Sequence, residues 1–202
     1  NQMVSIGSLG LIVLFQKEIR HFFSTIGARN RHSAVMRRLF GGRKSERLDV
    51  TRKQILPIVM ACINMAKQKV GALIIIQRSV SLKDEANSGD LINANISQRL
   101  IENIFFKNTP LHDGALIIRD GRAWSAACIL PISKRSDLPK HYGLRHRAAL
   151  GITEKTDATA IVVSEETGTI SIAKGETIRP VTPKELEQEL ALAFGMETNE
   201  KK

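Results

Sequence analysis

The chain has 202 residues, of which 43% are apolar and 25% charged, as expected of an ordinary globular protein with one main domain. Its two cysteines, Cys62 and Cys128, lie far apart within apolar stretches, which excludes a disulfide framework and a cysteine-rich zinc site and suits a reducing cytosol. Most of the formal net charge of +10 comes from residues 28–53, so only that part predicts an anionic partner, either nucleic acid or lipid.

The apolar residues near the start favour the lipid. Residues 3–15 contain no charged side chain but are fewer than the roughly 20 residues that a membrane-spanning helix needs. Because basic residues follow them, as on the cytoplasmic side of a span, we interpret them as the end of a longer span. A solvated basic linker without a partner and a nucleic-acid-binding segment remain alternatives.

The sequence therefore predicts four regions. They are the end of a membrane helix with a short amphipathic helix over 1–27, a basic linker over 28–50, a folded domain over 51–195 and a polar tail over 196–202.

The first half of the folded domain shows helical spacing of apolar residues, then a continuous apolar run, then helical spacing again. The expected first helix is capped by Asp49 or Thr51, and Gly71 lies just past its end. The predicted elements are a helix over 49–71, a buried strand over 72–77, a loop over 81–90 and an amphipathic helix over 95–108.

The second half contains two hairpin patterns. Asp120-Gly121 is a strong turn signal between two apolar runs. Thr182 and Pro183 are typical of the start of a last helix, whereas Gly151 weakens the helix before it. The predicted elements are a hairpin over 115–130, a loop over 134–143, a helix over 144–156, a hairpin over 158–175 and a helix over 182–194. This order predicts a mixed α/β domain with a central β-sheet covered by helices.

A second Asp-Gly pair stands where no turn needs it. His112-Asp113-Gly114-Ala115 precedes the strand at 115. A carboxylate beside an imidazole can hold a divalent metal or accept a proton, and glycine lets the backbone approach a ligand. The alternative is a strand-entry turn in which Asp113 has local partners.

Arg145-His146-Arg147 follows Gly143 at a predicted helix start. Helix N-termini attract anions, and arginine can bind phosphate through two hydrogen bonds. Cations in a first turn oppose the helix dipole, so stability alone does not favour them there. The cluster indicates an anionic ligand, with a solvated basic turn as the alternative.

Ser164-Glu165-Glu166 ends an apolar strand. The paired acids predict either a metal site completed by Asp113 or an acidic hairpin turn. Together with the basic cluster they suit a nucleotide and its divalent metal. The sequence has no Walker A motif and no G-x-G-x-x-G, so the phosphate site is not one of the common glycine-rich loops.

The stretches PLHDGALII, LRHRAALGIT and IVVSEETGTISIAKG resemble the diadenylate cyclase domain, which is marked by a DGA and an RHR motif at this separation. The GALIII run at 71–76 is similar to a further block of that family, and the resemblance covers residues 51–180. The apolar start and basic linker resemble the membrane-bound CdaA type. This implies a location at the cell membrane with the folded domain on the cytoplasmic side.

The resemblance implies a reaction in which two ATP give cyclic di-AMP and two pyrophosphates, in a face-to-face homodimer that holds one ATP per domain. It implies a divalent metal, Mn²⁺ or Mg²⁺ with Co²⁺ as a third candidate. It also suggests a membrane-anchored regulator and a sugar-phosphate mutase as partners, and no nucleic acid. A sensor without catalysis conflicts with the intact Asp113 and Arg145, and a nucleic-acid-binding module leaves the acidic groups unexplained.

The resemblance also implies residue roles. Asp113 binds the metal and activates the attacking hydroxyl, with His112 and Glu166 completing the metal site. The triplet Arg145, His146 and Arg147 holds phosphates. The substrate-binding set is Gly114 and Ala115 at ribose and phosphate, Ile129 and Leu130 at adenine, and Leu144, Ser164 and Glu165.

Two positions depart from the family pattern. Many members carry an aromatic residue where this chain has Ile129, which implies weaker base stacking. Many members have threonine where this chain has Leu144, which implies one phosphate hydrogen bond fewer.

Overall fold

A computed structural model describes residues 44–139 and 141–195, with the backbone alone described over 44–52. The predictions for residues 1–43 and for the tail 196–202 lie outside these residues, and the division into regions stays a prediction. In the part of the chain that is described, no helix is long and apolar enough to cross a membrane.

The described residues form five helices and seven strands. In chain order they are α1 (Lys44–Lys67), β1 (Ala72–Ile76), α2 (Lys83–Ala86), β2 (Asp90–Asn95), α3 (Gln98–Ile104), β3 (Ala115–Arg119), β4 (Arg122–Cys128), α4 (Leu144–Thr153), β5 (Thr159–Val163), β6 (Ile170–Lys174), β7 (Thr177–Pro180) and α5 (Pro183–Ala193).

Two predicted helices have wrong boundaries. Asp49 and Thr51 lie inside α1 rather than at its N-cap, because the residues before them are good helix formers with no glycine or proline among them. The helix predicted over 95–108 is confined to α3, since residue 95 belongs to β2 and Ser97 caps the helix by accepting a hydrogen bond from the Leu100 N–H.

The seven strands form one sheet in the order β2-β4-β3-β1-β5-β6-β7. β1 is parallel to β3, and every other neighbouring pair is antiparallel. The predicted mixed sheet is therefore confirmed. The predictions omitted β2 and β7, which are largely exposed strands at the two edges of the sheet.

Alternate residues of the central strands feed two cores, because successive side chains of a strand point to opposite faces. Ile74 and Leu116 belong to the core under α1, α3 and α5. Ile75 and Ile117 belong to the opposite core, under α2 and α4. Helices thus cover both faces of the sheet, and α4 is the helix that carries the Arg-His-Arg triplet.

The start of β3 approaches the end of β4 closely. Gly114 has a φ of 127° and Ala127 a φ of 53°, and the register between the strands shifts after Ala115. A β-carbon at Gly114 would lie 2.6 Å from the carbonyl carbon of Ala127. Glycine is therefore required here by backbone conformation and packing. This irregularity changes the direction of the backbone at the residues that flank the two strands, as bulges often do beside functional sites.

Helix α4 contains a glycine for the same kind of reason. A β-carbon at Gly151 would overlap the carbonyl oxygen of Pro131 and lie 2.8 Å from the Ser133 nitrogen. These are backbone atoms, so they cannot turn aside. The loop after β4 therefore rests directly on α4.

We predict that Gly151→Ala destabilises the protein, although alanine normally gains about 1 kcal/mol over glycine inside a helix. The overlap with the Pro131 backbone should cost about 1–3 kcal/mol of the free energy of unfolding, measured by urea denaturation. A variant as stable as the wild type or more stable would show that the loop does not rest on this helix.

Candidate active site

A pocket of about 400 Å³ opens where the central strands of the sheet begin and end, not beside an edge strand. β1 and β3 are parallel and both begin beside the pocket, whereas β4 and β5 are antiparallel to them and both end there. The segments before β3, after β4 and after β5 therefore converge, and the start of α4 meets them. The strand directions thus bring together segments that are far apart in the sequence.

Most of the predicted site residues line this pocket. They are Asp113, Gly114, Ile129, Leu130, Leu144, Arg145, His146, Ser164, Glu165 and Glu166. Asp113 and Arg145 therefore face the same cavity, as the hypothesis of a shared nucleotide requires. Three predicted residues are described by the structure but do not line this pocket: His112, Ala115 and Arg147.

Arg145 is anchored at two points. Its Nη1 donates to Glu165 Oε2 at 2.9 Å, and its Nη2 donates to the carbonyl oxygen of His112 at 3.5 Å. Among the described atoms its Nε is buried without a hydrogen-bond partner. The side chain retains 23% exposure, so part of the cationic group faces the pocket. The pocket therefore contains a positioned cation with a donor that is not fully used.

His146 is buried beneath the pocket and stacks on Tyr142, with ring centroids 4.5 Å apart and planes inclined by 6°. Burial, and secondly the charge of nearby His141, lower the pKa of His146 from its ordinary value of 6.5. The imidazole is therefore neutral at physiological pH. It can donate or accept a hydrogen bond but supplies no positive charge there.

Arg147 has a different environment from Arg145. Its Nη1 donates to the carbonyl oxygen of Arg135 at 3.1 Å, and its own carbonyl oxygen accepts from the Ser133 N–H at 3.0 Å. It holds the loop after β4 against α4. The predicted contact of Arg147 with phosphate stays a prediction, and its observed partners give it a structural role.

The predicted metal ligands do not form one cluster. The His112 Nδ1 lies 2.5 Å from the carbonyl oxygen of Thr109, so the ring is held by its own loop. In residues 44–139 and 141–195, no group of three or more His, Cys, Asp or Glu side chains is placed to hold a metal ion. The proposed set of Asp113, His112 and Glu166 is therefore not assembled in this chain.

Two carboxylates nevertheless suit a hard divalent cation. Asp113 and Glu166 both line the pocket and offer oxygen ligands. Mg²⁺ in nucleotide enzymes is commonly bound by one or two carboxylates together with water and substrate phosphates, so a complete protein cage is not needed. The residues present therefore fit a metal that arrives with the nucleotide.

The mouth of the pocket is apolar. Ile129 and Leu144 are 74% and 73% exposed, and Ile132 is 53% exposed. These three residues, called here the apolar rim, stand beside the polar groups of the site. Large apolar side chains grouped at this exposure mark a binding surface, either for a ligand or for another chain.

No sequence motif pointed to several of the lining residues, notably Ile132, His141 and Gly143. Residues 134–143 have the polar composition of an ordinary loop. The segment just before this loop contacts α4 through the close approach of Pro131 and Ser133 to Gly151, which no spacing pattern reveals.

Comparison with known proteins identifies the family. Residues 59–178 match the family described as DisA bacterial checkpoint controller nucleotide-binding. The chain is 37% identical to the cyclic di-AMP synthase CdaA of Bacillus subtilis, over 99% of this chain and 71% of that protein. It is 44% identical to a diadenylate cyclase of Listeria monocytogenes, over 92% of this chain and 66% of that protein.

The fold agrees with this identification. The crystal structure of a double mutant of DacA from Staphylococcus aureus superposes with a TM-score of 0.70 at 39% identity, covering 71% of this chain and 97% of that one. The resemblance noted from the sequence motifs is therefore confirmed. The chain belongs to the diadenylate cyclase family.

Proposed function

We propose that this chain is a diadenylate cyclase, a nucleotidyltransferase that condenses two ATP into cyclic di-AMP and releases two pyrophosphates. Family membership supports the reaction class. The observation that carries the proposal is that Asp113 and Arg145, 32 positions apart, line one pocket of about 400 Å³. That volume lies in the range of small-ligand sites, roughly 300–1,000 Å³.

Each half of the reaction forms one bond and breaks one. The 3′-oxygen of one ATP attacks the α-phosphorus of the other, and the bond from that phosphorus to the bridging oxygen of pyrophosphate breaks. Asp113 accepts the hydroxyl proton, because its exposed carboxylate lines the pocket just before β3. A second, identical transfer closes the ring.

Asp113 and Glu166 would hold a divalent cation, Mn²⁺ or Mg²⁺ with Co²⁺ as a third candidate. When bound, such an ion offsets the negative charge of the phosphates and of the leaving pyrophosphate. His112 contributes only its carbonyl oxygen to the site, through its hydrogen bond with Arg145.

Arg145 is the principal phosphate-binding residue in this proposal. It lies in the first turn of α4, is held by Glu165 and by the His112 carbonyl oxygen, and keeps part of its side chain exposed. Ser164 lines the same pocket and can donate its hydroxyl hydrogen to phosphate. Catalysis of this kind consists mainly of positioning and electrostatic stabilisation of the transferred group. His146 lines the same pocket, where its ring stacks on Tyr142 and can form a hydrogen bond with the substrate.

The adenine base lies on apolar residues. Just after β4, Leu130 is buried while Ile129 beside it is largely exposed, so the two offer aliphatic contacts rather than an aromatic plane. Ser88 holds Ile129 in place, since its hydroxyl oxygen accepts from the Ile129 N–H at 2.9 Å. This supports base binding with weak stacking, as the sequence predicted.

Two chains form the complete catalytic unit. One pocket suits one nucleotide, whereas the reaction joins two, so the second ATP comes from a facing copy. The apolar rim, Ile129, Ile132 and Leu144, supports this arrangement because a face-to-face dimer would remove it from water.

We also propose that the protein works at the cell membrane, with the catalytic domain on the cytoplasmic side. This rests on the apolar residues 3–15, the basic residues after them and the similarity to the CdaA type. A membrane-anchored regulator and a sugar-phosphate mutase as partners rest on the family resemblance alone.

We expect Asp113→Asn to abolish synthesis of cyclic di-AMP from ATP and Mn²⁺, with a loss of about 100-fold or more, as for removal of a general base. The thermal midpoint should not change, because Asp113 is exposed. Asp120→Asn is the matched control, since it alters the other Asp-Gly pair, in the β3–β4 turn. Near-normal product formation by Asp113→Asn would refute the role of Asp113.

We expect the turnover rate per chain to rise with protein concentration, because two chains form one catalytic unit. Ile132→Glu should weaken association and shift this rise to higher concentration, as followed by sedimentation velocity and product formation. Leu91→Glu is the control, since Leu91 is also an exposed apolar residue, at 68%, but lies on the edge strand β2 outside the pocket lining. Constant turnover per chain in a protein that stays monomeric would contradict the dimeric site.

We expect stability to fall as the pH drops below 6.5, partly through His146. The pKa of His146 is lowered in the folded protein, so as the pH falls the unfolded chain binds the proton at a higher pH than the folded chain. The free energy of unfolding therefore decreases as the pH drops below the ordinary value of 6.5. The free energy of unfolding of His146→Gln should therefore depend less on pH between 7 and 5 than that of the wild type, as measured by urea denaturation. Identical pH dependence would show that this imidazole does not titrate below its unfolded value.

A further inference from the structure

Gly71 lies directly before the central strand β1, at the strand end where the pocket opens. The proposed reaction gives Gly71 no role. The register of β1 with β5, continued by one residue, places Gly71 beside Ser164, and the register of β1 with β3, continued by three residues from the Ile74–Leu116 pair, leads to Asp113. Gly71 is buried. It is therefore a neighbour of the site that contributes no side chain to it.

Backbone conformation does not require glycine at this position. Among the described residues Gly71 is not one of those with a left-handed φ, and the left-handed residue after α1 is Lys69, with a φ of 52°. The Val70 N–H closes the end of the helix by donating to the Met65 carbonyl oxygen at 2.8 Å. The predicted place of Gly71 as the residue that ends α1 is therefore taken by Lys69.

The side chains of Arg145 and Glu165 occupy the space beside the Gly71 α-carbon. A β-carbon built on Gly71 would lie 2.7 Å from Arg145 Nη1, 2.8 Å from Glu165 Oε2 and 3.1 Å from Arg145 Cζ. These are its three nearest heavy atoms apart from those of its chain neighbours. The ion pair between Arg145 and Glu165 therefore occupies the position where any other residue would carry its side chain.

We infer that Gly71 is a positioning residue for Arg145. Its missing side chain leaves the space in which the Arg145 guanidinium lies against β1 and pairs with Glu165, and this fixes the cation on the side of the pocket that holds Asp113. The inference rests on the proposed function for its effect on catalysis, because Arg145 is there the phosphate-binding residue.

A methyl group at Gly71 has a predictable effect. The atoms that it meets are the ends of long side chains, which can move, whereas the atoms around Gly151 are backbone. Gly71→Ala should therefore keep the fold and displace the Arg145 guanidinium. Catalytic groups tolerate little displacement, since a shift of about 1 Å can cost about 100-fold in rate.

The test compares the full-length wild type with Gly71→Ala, Arg145→Ala and the double variant. It measures the dissociation constant of a non-hydrolysable ATP analogue with Mn²⁺, the rate of cyclic di-AMP formation and the thermal midpoint. We expect Gly71→Ala to weaken analogue binding and lower the rate by about tenfold or more, with an unchanged midpoint. In the Arg145→Ala background, Gly71→Ala should have no further effect on binding.

Two results would overturn the inference. One is wild-type binding and turnover in Gly71→Ala, and the other is an equal loss of binding with and without Arg145, which would mean that Gly71 acts by another route. Should Gly71→Ala fail to fold, the double variant should fold again, because it lacks the clashing guanidinium. Failure of both variants to fold would overturn the inference as well.

The outcome for Gly71 is separable from that for the proposed function. A wild type that binds the analogue but forms no cyclic di-AMP overturns the proposed function. The positioning role of Gly71 is then tested by the dissociation constants alone. A wild type that binds no nucleotide also overturns the function. In that case crystal structures of the wild type and Gly71→Ala decide, since an unchanged separation of 2.9 Å between Arg145 Nη1 and Glu165 Oε2 would contradict the positioning role.

Discussion

The directions of four neighbouring strands are the constraint on which this site depends. β3 and β1 run parallel and begin on the same side of the sheet, where the pocket lies. The strands on either side of this pair, β4 and β5, end on that side. Four chain segments therefore meet there without long loops. A reversal of either central strand would carry Asp113 or Gly71 to the opposite side. The buried central strands that fix these directions thus stabilise the fold and assemble the site together.

Close approach of the backbone shapes the site as much as its charged groups do. Gly114 admits Ala127, Gly151 admits the loop after β4, and Gly71 admits the Arg145–Glu165 pair. The first two glycines meet backbone atoms and fix the strand ends and the loop that bears Ile129 and Ile132. The third meets only the ends of side chains, so it affects the position of a cation more than the stability of the fold. A half-buried arginine is costly without such an arrangement, because its desolvated donors need partners.

Elements with strong local signals could be predicted from the sequence, whereas contacts between distant segments could not. The β3–β4 hairpin follows from Asp120-Gly121, and the start of α5 follows from Thr182, which forms a capping box with Glu185. β2 was missed because Asp90–Asn95 is a largely exposed edge strand with little apolar patterning. The motifs predicted that Asp113, Arg145 and Glu166 belong to the site, and all three line the pocket. They could not reveal that Arg147 donates to the Arg135 carbonyl oxygen or that the His112 ring is held by Thr109, since both depend on side-chain directions set by the folded loops.

A crystal structure of the full chain with a non-hydrolysable ATP analogue and Mn²⁺ tests the central claim most directly. The measured quantities are the distances from the α-phosphate and the metal to the Asp113 carboxylate and the Arg145 guanidinium. The account predicts one nucleotide per chain, with its triphosphate between these two groups, the metal on Asp113 and the base against Ile129 and Leu130. A triphosphate bound elsewhere, or one that contacts Arg145 while Asp113 points away from both phosphate and metal, would contradict it.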